Sequence, residues 1–426
     1  MQHERDSFVL VPDAGRSALL AVGGRLPCLR SRSGAAGVIE AVQQAYSLDA
    51  PYLRPARMLW NETTREASSA LYEFDAPNAE WAPPPEIEWL ALDDADPDVL
   101  SPPGLAPYVE RWLAIARGAP IPEARPPWAR PGWLGEASSW METSMVEAGL
   151  QPVGPVEVVE QWPLSSVLRR GTGDGHVYMK AVFSIFQHET SLTRALAAEH
   201  PTLVPAVFAV DVSRGWMLMR ELHGTEIGEL NHERWVEALV AAARMQQGWI
   251  GRDEELFAYG AHDRTLAVLQ GEIGLAFDEA GVPRTRNVSE LERRCDELAR
   301  GPLPQTLIHG DLHPGNVMVD GTELRIFDWS DGCVSHPLFD LPTFLPRCND
   351  ASAREAMLDT YLGMWSDYGS PDELRSSYDL AHPLAYVHHA VSYIRILEAL
   401  EPDDRWWFAE EPRRGVTGAI ELLEAK

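Results

Sequence analysis

The sequence predicts an α+β chain of more than one folding unit, β-rich up to about Leu222 and mainly helical beyond it. Three observations predict this. Short runs of alternating apolar residues recur through the first half, as half-buried strands require. In the second half apolar residues recur at helical spacing; Leu384, Val387, Val391 and Ile394 show it most clearly. The chain is 426 residues long, more than one hydrophobic core ordinarily organises.

The elements follow in order. Phe8–Val11, Ala18–Val22 and Leu26–Leu29 alternate as strands, and Ala36–Tyr46 reads as a helix. Ala56–Trp60, Ala70–Phe74 and Ile87–Ala91 are further strands, with Pro/Asp-rich stretches at 81–85 and 93–103. Pro107–Ala116 is a helix. The proline-rich run from Gly118 reads as a linker, and Leu134–Glu147 as a helix after it. The tryptophans at 60, 81, 89, 112, 128, 133 and 140 are expected to pack a domain contact. Three strands then follow: Val156–Gln161, Ser166–Arg170 and His176–Phe183. Gly171 to Gly175 is the tight turn between the last two, where glycine supplies positive φ. Trp216–Leu222 is an apolar strand ending in charge. Helices are expected at His232–Gln247, Val288–Arg300, Ala353–Trp365 and Leu384–Leu400, with His382, His388 and His389 at the surface or in a cleft.

Composition narrows the function. Sixty-four acidic against 36 basic residues give a formal charge of −28, which disfavours nucleic acid as a partner. The same charge would steer a cationic small molecule, and it equally serves solubility. No run of 18 apolar residues suggests a membrane span, and the first residues lack an apolar signal segment. Cys28, Cys295, Cys333 and Cys348 lack CxxC spacing and read as reduced packing residues. A cytoplasmic location is expected.

The chemistry concentrates in His309-Gly310-Asp311-Leu312-His313-Pro314-Gly315-Asn316 and in Phe327-Asp328-Trp329. Leu307-Ile308 leads into the first string. Val317–Val319 and Leu324–Phe327 flank Asp320-Gly321, a hairpin-turn signal that would return Asp328 to the neighbourhood of Asn316. Two carboxylates and an amide are oxygen ligands of the kind Mg²⁺ prefers. A polar turn would use the same residue types. His309, Asp311 and His313 could instead be read as zinc ligands, which leaves Asn316 and Asp328 unexplained.

His309-x-Asp311-x-x-x-x-Asn316 with Asp328 downstream resembles the catalytic loop of the aminoglycoside phosphotransferase and choline kinase superfamily. The resemblance implies a protein-kinase-like bilobal fold over residues from about 150 to 426. It implies that Asp311 orients or deprotonates the acceptor hydroxyl, that Asn316 and Asp328 hold Mg²⁺, and that Asp340 braces the loop, although Asp340 could equally cap a helix. His309 is read as structural and His313 as loop packing. Lys180, within the third upstream strand, matches the family's phosphate-binding lysine. Glu189 is its best carboxylate, with Glu199 as competitor. The phosphate loop is expected at Trp162–Ser166, with the Ser165 and Ser166 hydroxyls cradling phosphate. Backbone groups from Met219 to Leu222 would take the purine edge. The chain holds no GxxxxGK[ST]. Among acidic acceptor contacts Asp331 ranks first, ahead of Asp403, Asp404, Glu410 and Glu411. Trp406-Trp407-Phe408 would form an apolar wall under a ring, or core.

The expected organisation is therefore an accessory α+β domain at 1–117, a linker at 118–132, a nucleotide lobe with a leading helix at 133–222 and a helical catalytic lobe at 223–426. The accessory domain weakly resembles a Nudix fold without its catalytic helix, since Glu40 lacks the partners that would bind metal. A lid, substrate-shaping or dimer-forming role is expected of it. The expected activity is O-phosphorylation of a small molecule by ATP, or GTP, with Mg²⁺. An aminoglycoside or another hydroxylated amine is the first acceptor class. A sugar, amino alcohol or hydroxy amino acid is the alternative, and a nucleotide-binding pseudokinase or a zinc hydrolase is the rival from another class.

Overall fold

A computed structural model describes residues 4–60, 67–78 and 80–425. The chain forms two compact units, residues 1–183 with 400–407, and residues 184–399 with 408–426.

The first unit contains β1 (Arg5–Leu10), β2 (Ala18–Ala21), β3 (Cys28–Ser31), α1 (Ala35–Tyr46), β4 (Tyr52–Trp60), β5 (Ala67–Phe74), β6 (Glu88–Ala91), α2 (Pro97–Leu100), α3 (Ala106–Ala116), α4 (Trp133–Glu147), β7 (Val153–Gln161), β8 (Ser165–Thr172) and β9 (Gly175–Val182). A four-stranded sheet runs β3-β1-β5-β4, with β1 parallel to β5 and the other pairs antiparallel. Pro55 has no N–H for a ladder, and β4 lies at the edge with a register shift beside it. Val38 and Val42 of α1 pack on Val9, Tyr72 and Phe74. β7, β8 and β9 form an antiparallel meander, with Thr172 paired to Gly175 across a two-residue turn.

Several expectations change here. The proline-rich run at 118–132 is no free linker: Trp128 is 1% exposed, and its indole donates to the Trp162 carbonyl at 2.8 Å. Gln161 Nε2 donates to the carbonyls of Tyr52 (3.1 Å) and Trp128 (3.2 Å). These bonds tie the β7–β9 meander to the N-terminal sheet, so the compact unit runs through the boundary expected at 132. Of the seven tryptophans, Trp112, Trp128 and Trp133 are buried, whereas Trp60 is exposed.

Asp403 and Asp404, considered as acceptor contacts, are paired with arginines of this unit instead, Asp404 in its interior and Asp403 at its surface. Asp404 and Glu401 are buried with Arg54, Arg125 and Glu73. Asp403 pairs with Arg111 at 2.7 Å. Trp406 and Trp407 stack on each other and pack on the N-terminal core, which decides between wall and core for those two. Cys28 is exposed; the other three cysteines are buried, and all four are free.

The second unit contains α5 (His188–Glu199), β10 (Val207–Asp211), β11 (Trp216–Arg220), β12 (Thr225–Glu226), α6 (His232–Gly248), α7 (Asp253–Ala258), β13 (His262–Asp263), α8 (Leu266–Glu279), α9 (Arg286–Ala299), β14 (Thr306–Ile308), β15 (Val317–Asp320), β16 (Glu323–Ile326), β17 (Cys333–Ser335), α10 (Leu341–Phe344), α11 (Ala351–Gly363), α12 (Pro371–Ala399) and α13 (Glu411–Glu424). Its core gathers Trp235, Trp249, Phe277, Phe339, Tyr361 and Trp365. β14 pairs with β17, and β15 with β16.

The helix expected to start at Leu384 starts at Pro371 instead and carries Pro383 inside it. Proline frees the carbonyl four residues before it. That carbonyl, of Asp379, accepts from Arg294 Nη1 at 2.9 Å, so the helix continues. His388, expected at a surface or cleft, is 1% exposed in the core. Among the described residues no helix is long and apolar enough to cross a membrane.

Candidate active site

The loop after β14 is shaped by three devices. The first is Asp340, whose carboxylate accepts from the backbone N–H groups of His309 (3.0 Å) and Gly310 (2.8 Å) and from Gln246 Nε2 (2.9 Å). It makes no side-chain cap of the following helix, so it braces the loop. Burial pushes its pKa up to about 6, against the pull of those three donors. The second is His309, 2% exposed, whose Nε2 lies 2.9 Å from the Phe327 carbonyl and whose ring rests on Trp329. A ring nitrogen facing a carbonyl must carry the proton, which leaves Nδ1 to accept from the Asp311 N–H at 3.4 Å. The third is Gly310 at φ 81°, where a Cβ would lie 2.3 Å from the Asp331 carbonyl oxygen. Only glycine allows that approach.

The β15–β16 hairpin then brings the other two groups together. Val317 pairs with Ile326 at its open end, and the Phe327 N–H donates to the Asn316 carbonyl at 3.1 Å. Asn316 is 6% exposed, and its Nδ2 donates to the Asp311 carbonyl at 3.0 Å, which leaves Oδ1 as the amide's available ligand atom. Asp328 sits in the left-handed region at φ 65°, uncommon for a non-glycine residue and typical of functional sites. Its Oδ1 accepts from Ser330 Oγ at 2.6 Å.

The electrostatics fit a cation. Desolvation in the cleft, and then the Asp331 and Asp328 carboxylates, push Asp311 well above the usual carboxylate range; Arg347 opposes them weakly. The Asp311 carboxylate is still half-exposed, so a ligand can reach it. An added positive charge would relieve this mutual repulsion. Asn316 Oδ1 and Asp328 are the hard oxygen ligands that would hold Mg²⁺. A zinc site at His309, Asp311 and His313 is not formed. Both His309 nitrogens face backbone groups, His313 Nδ1 accepts from the Gly315 N–H at 3.0 Å, and among the described residues no group of three His, Cys, Asp or Glu side chains could hold a metal.

Residues 168–374 match the model of the phosphotransferase enzyme family. The match spans just under half of the chain. An ethanolamine kinase from Plasmodium vivax shares the fold, with a TM-score of 0.51, 9% identity, and coverage of 74% of this chain and 94% of that one. A choline kinase from Streptococcus pneumoniae (TM-score 0.49, 13% identity, 68% and 100% covered) and a macrolide 2'-phosphotransferase from Brachybacterium faecium (0.45, 16%, 65% and 97%) are similar at lower scores. No curated protein sequence matches the chain. The α+β kinase fold expected from the sequence is thus present, and the enzyme class is that of the phosphotransferases.

The remaining expected residues of this phosphotransferase stand as follows. Lys180 lies in β9 at 8% exposure. Glu189 lies in the first turn of α5 at 1% exposure. Its competitor Glu199 is exposed and pairs with Arg252 at 2.8 Å. Met219 is in β11, and both it and Leu222 are half-buried; Leu222 lines a cleft with Glu221 and Met318. The serines require a correction. Ser165 and Ser166 belong to β8 and are buried. Ser166 Oγ donates to Gln161 Oε1 at 2.9 Å, and Ser165 Oγ accepts from the Trp162 indole at 2.7 Å. Ser166 thus spends its proton inside the protein, whereas Ser165 acts as an acceptor and keeps its O–H. The glycine-rich 171–175 segment is the β8–β9 turn, as expected.

Gln246 escaped the sequence reading. It lies in α6, 94 residues before the Asp340 it holds, and it accepts in turn from the Tyr361 hydroxyl. No local pattern marks such a residue. Removing the brace has a definite cost. Asp340→Ala leaves two buried N–H groups without acceptors, each costing about 1–3 kcal/mol. Chemical denaturation should show a loss of about 2–5 kcal/mol, together with a fall in turnover. Unchanged stability and turnover would remove Asp340 from the loop's support.

Proposed function

We propose that the protein is an ATP-dependent O-phosphotransferase that acts on a hydroxyl group of a small molecule. The observation that carries this reading is the convergence of Asp311, Asn316 Oδ1 and Asp328 on one loop and hairpin, inside a segment of the phosphotransferase family. Phosphoryl transfer needs little covalent help from a protein; it needs positioning and neutralisation of spreading charge. Asp311 orients the acceptor hydroxyl and takes its proton. Asn316 and Asp328 hold Mg²⁺, which when bound neutralises phosphate charge. His309, Asp340 and Gln246 fix the loop. To Lys180 we assign the nucleotide phosphates, with Glu189 as its carboxylate, and to backbone groups from Met219 to Leu222 the purine edge. ATP is the family's donor, with GTP as the alternative. The reaction belongs in the cytoplasm, where ATP is found.

For the acceptor, the acidic balance of the chain supports a hydroxylated amine, aminoglycosides included. A hydroxy amino acid is the second reading, favoured by the residues around Asp331 taken up below. Residues 1–117 are read as a non-catalytic accessory domain: Glu40 pairs with Arg32 on the surface and hydrogen-bonds Gln44. A coupled ADP-release assay with Mg-ATP across aminoglycosides, amino sugars, neutral sugars, amino alcohols and hydroxy amino acids tests the reading. Acceptor-dependent ADP release supports it. Mg-ATP binding with no turnover on any acceptor points to a pseudokinase. Asp328→Ala should abolish Mg²⁺-dependent nucleotide binding measured by calorimetry; normal Mg-ATP affinity in that variant would mean that another residue holds the metal.

A further inference from the structure

Asp331 does more than follow the metal-binding carboxylate. It also walls a small cavity, together with Phe186, His188, His262, Arg264 and Arg395. The cavity adjoins the chemistry, because Gly310 of the catalytic loop packs directly against the Asp331 backbone. Tyr393, two residues before Arg395 on α12, has its phenol pushed up by burial and by Asp311, which places this end of the helix beside the catalytic carboxylate.

Arg264 is the unusual member. It is 5% exposed, and among the described residues no carboxylate lies within ion-pairing distance of it. Its Nη1 donates to Ser392 Oγ and its Nη2 to the His388 carbonyl at 2.7 Å. Its Nε is buried with no acceptor. A guanidinium stays charged, and a buried charge with an unused donor is costly unless something pairs with it. Arg395 adds a second guanidinium, of which one nitrogen is occupied by Glu272. His188 and His262 contact each other at 3.1 Å and stay neutral; burial and then His262 hold His188 down to about 3. In a chain of net charge −28, a cleft built for a purely cationic acceptor would not carry two guanidiniums beside its catalytic loop.

We propose that the acceptor is a small hydroxy acid, with or without an amino group, whose carboxylate is read by Arg264 and Arg395 in this cavity. This rests on the phosphotransferase reading above and sets a hydroxy acid ahead of the hydroxylated amine that the chain's acidic balance supports. One negative charge suits the site better than a phosphate monoester, whose second charge would face Asp331. Asp331 is itself placed to meet an ammonium group, so a hydroxy amino acid satisfies both ends. The arrangement makes Arg264 and Arg395 specificity residues for the acceptor.

The test pairs acids with close analogues that lack the carboxylate. Serine, homoserine, glycerate and glycolate are titrated by calorimetry against serinol, ethanolamine, glycerol and kanamycin, with Mg²⁺ and a non-hydrolysable ATP analogue present. ADP release is measured on the same panel with Mg-ATP. We expect saturable binding and turnover among the acids only. Arg395→Met should raise KM for the acid by about 10- to 100-fold with kcat nearly unchanged, as loss of a charge-assisted hydrogen bond implies. Arg264→Lys, which keeps a buried positive charge should Arg395→Met misfold, should shift KM the same way. Preference for amines or neutral alcohols, no acid bound at about 10 mM, well above usual KM values, or an unmoved KM in both variants would overturn the proposal. Acid binding without any ADP release would instead overturn the phosphotransferase reading and leave the anion site standing.

Discussion

Asp311→Asn should lower kcat by about 10²-fold or more while Mg-ATP still binds, because general-base and orienting effects are of that size. The substitution keeps the side chain's shape and removes only its capacity to accept a proton. The loop should hold its conformation. Asp340 fixes it through backbone N–H groups, His309 through the Phe327 carbonyl, and Asn316 through the Asp311 backbone carbonyl, none of which involves the Asp311 carboxylate. His313 Nε2 lies 3.7 Å from the carboxylate, beyond hydrogen-bond reach, so no side-chain bond is lost there. Steady-state ADP release alongside calorimetry with Mg-ATP separates the outcomes. Turnover at the wild-type rate would mean that the hydroxyl's proton goes elsewhere. Loss of Mg-ATP binding would mean that Asp311 belongs to the metal site.

The second large effect lies far from the chemistry. Arg54 is 5% exposed and stands among Glu73, Glu401 and Asp404, with Arg125 shared between Glu73 and Glu401. Breaking a buried ion cluster by removing one member leaves charges uncompensated, at a cost of about 3–5 kcal/mol. Arg54→Met should therefore lower the denaturation midpoint of the first unit by that equivalent. Glu401 and Asp404 reach the cluster from the short 400–407 segment, so the same variant should expose that segment to proteolysis. A midpoint equal to wild type would show that the cluster contributes nothing net.

The cluster also sets a pH dependence. Two guanidiniums face three carboxylates, so full ionisation leaves one negative charge in excess. Burial pushes Asp404 up to about 7, against Arg54, with Glu401 adding to the rise. For Glu73, burial is outweighed by Arg54 and Arg125, and its pKa is lowered. A carboxyl whose folded pKa lies above its unfolded value stabilises the fold at low pH and loses that contribution as pH rises. Stability from this source is complete below about 4, the unfolded value, and is lost as pH rises through about 7. Asp404→Asn should flatten this slope between about pH 4 and 7, the window those two values set; an unchanged slope would assign the proton to another member of the cluster.

How much of this was legible in the chain depends on how local the cause is. The string from His309 to Asn316, the hairpin turn and Asp328 could be read directly, because these groups are held by bonds within the loop and hairpin, by nearby Asp340 and by a turn with its own residue preference. Strand and helix periods were legible for the same reason, with ends displaced by a few residues. The helix through Pro383 was not, because its continuity depends on Arg294 from another helix taking the freed carbonyl. Proline-rich composition suggested a linker at 118–132, but burial of Arg125 and Trp128 overrode it. Asp403 and Asp404 looked like acceptor contacts because their partners, Arg111 and Arg54, lie some 300 residues earlier in the chain.

The sequence by itself therefore determined the residues of the phosphotransfer loop, their order and the kind of chemistry they can support. Only the tertiary structure decided which carboxylates are committed to the protein's interior, which serines are already engaged, and which arginine is left buried without a counter-charge. The physical reason is that a side chain's charge and hydrogen-bond state is set by neighbours brought to it by folding, and desolvation makes those neighbours decisive.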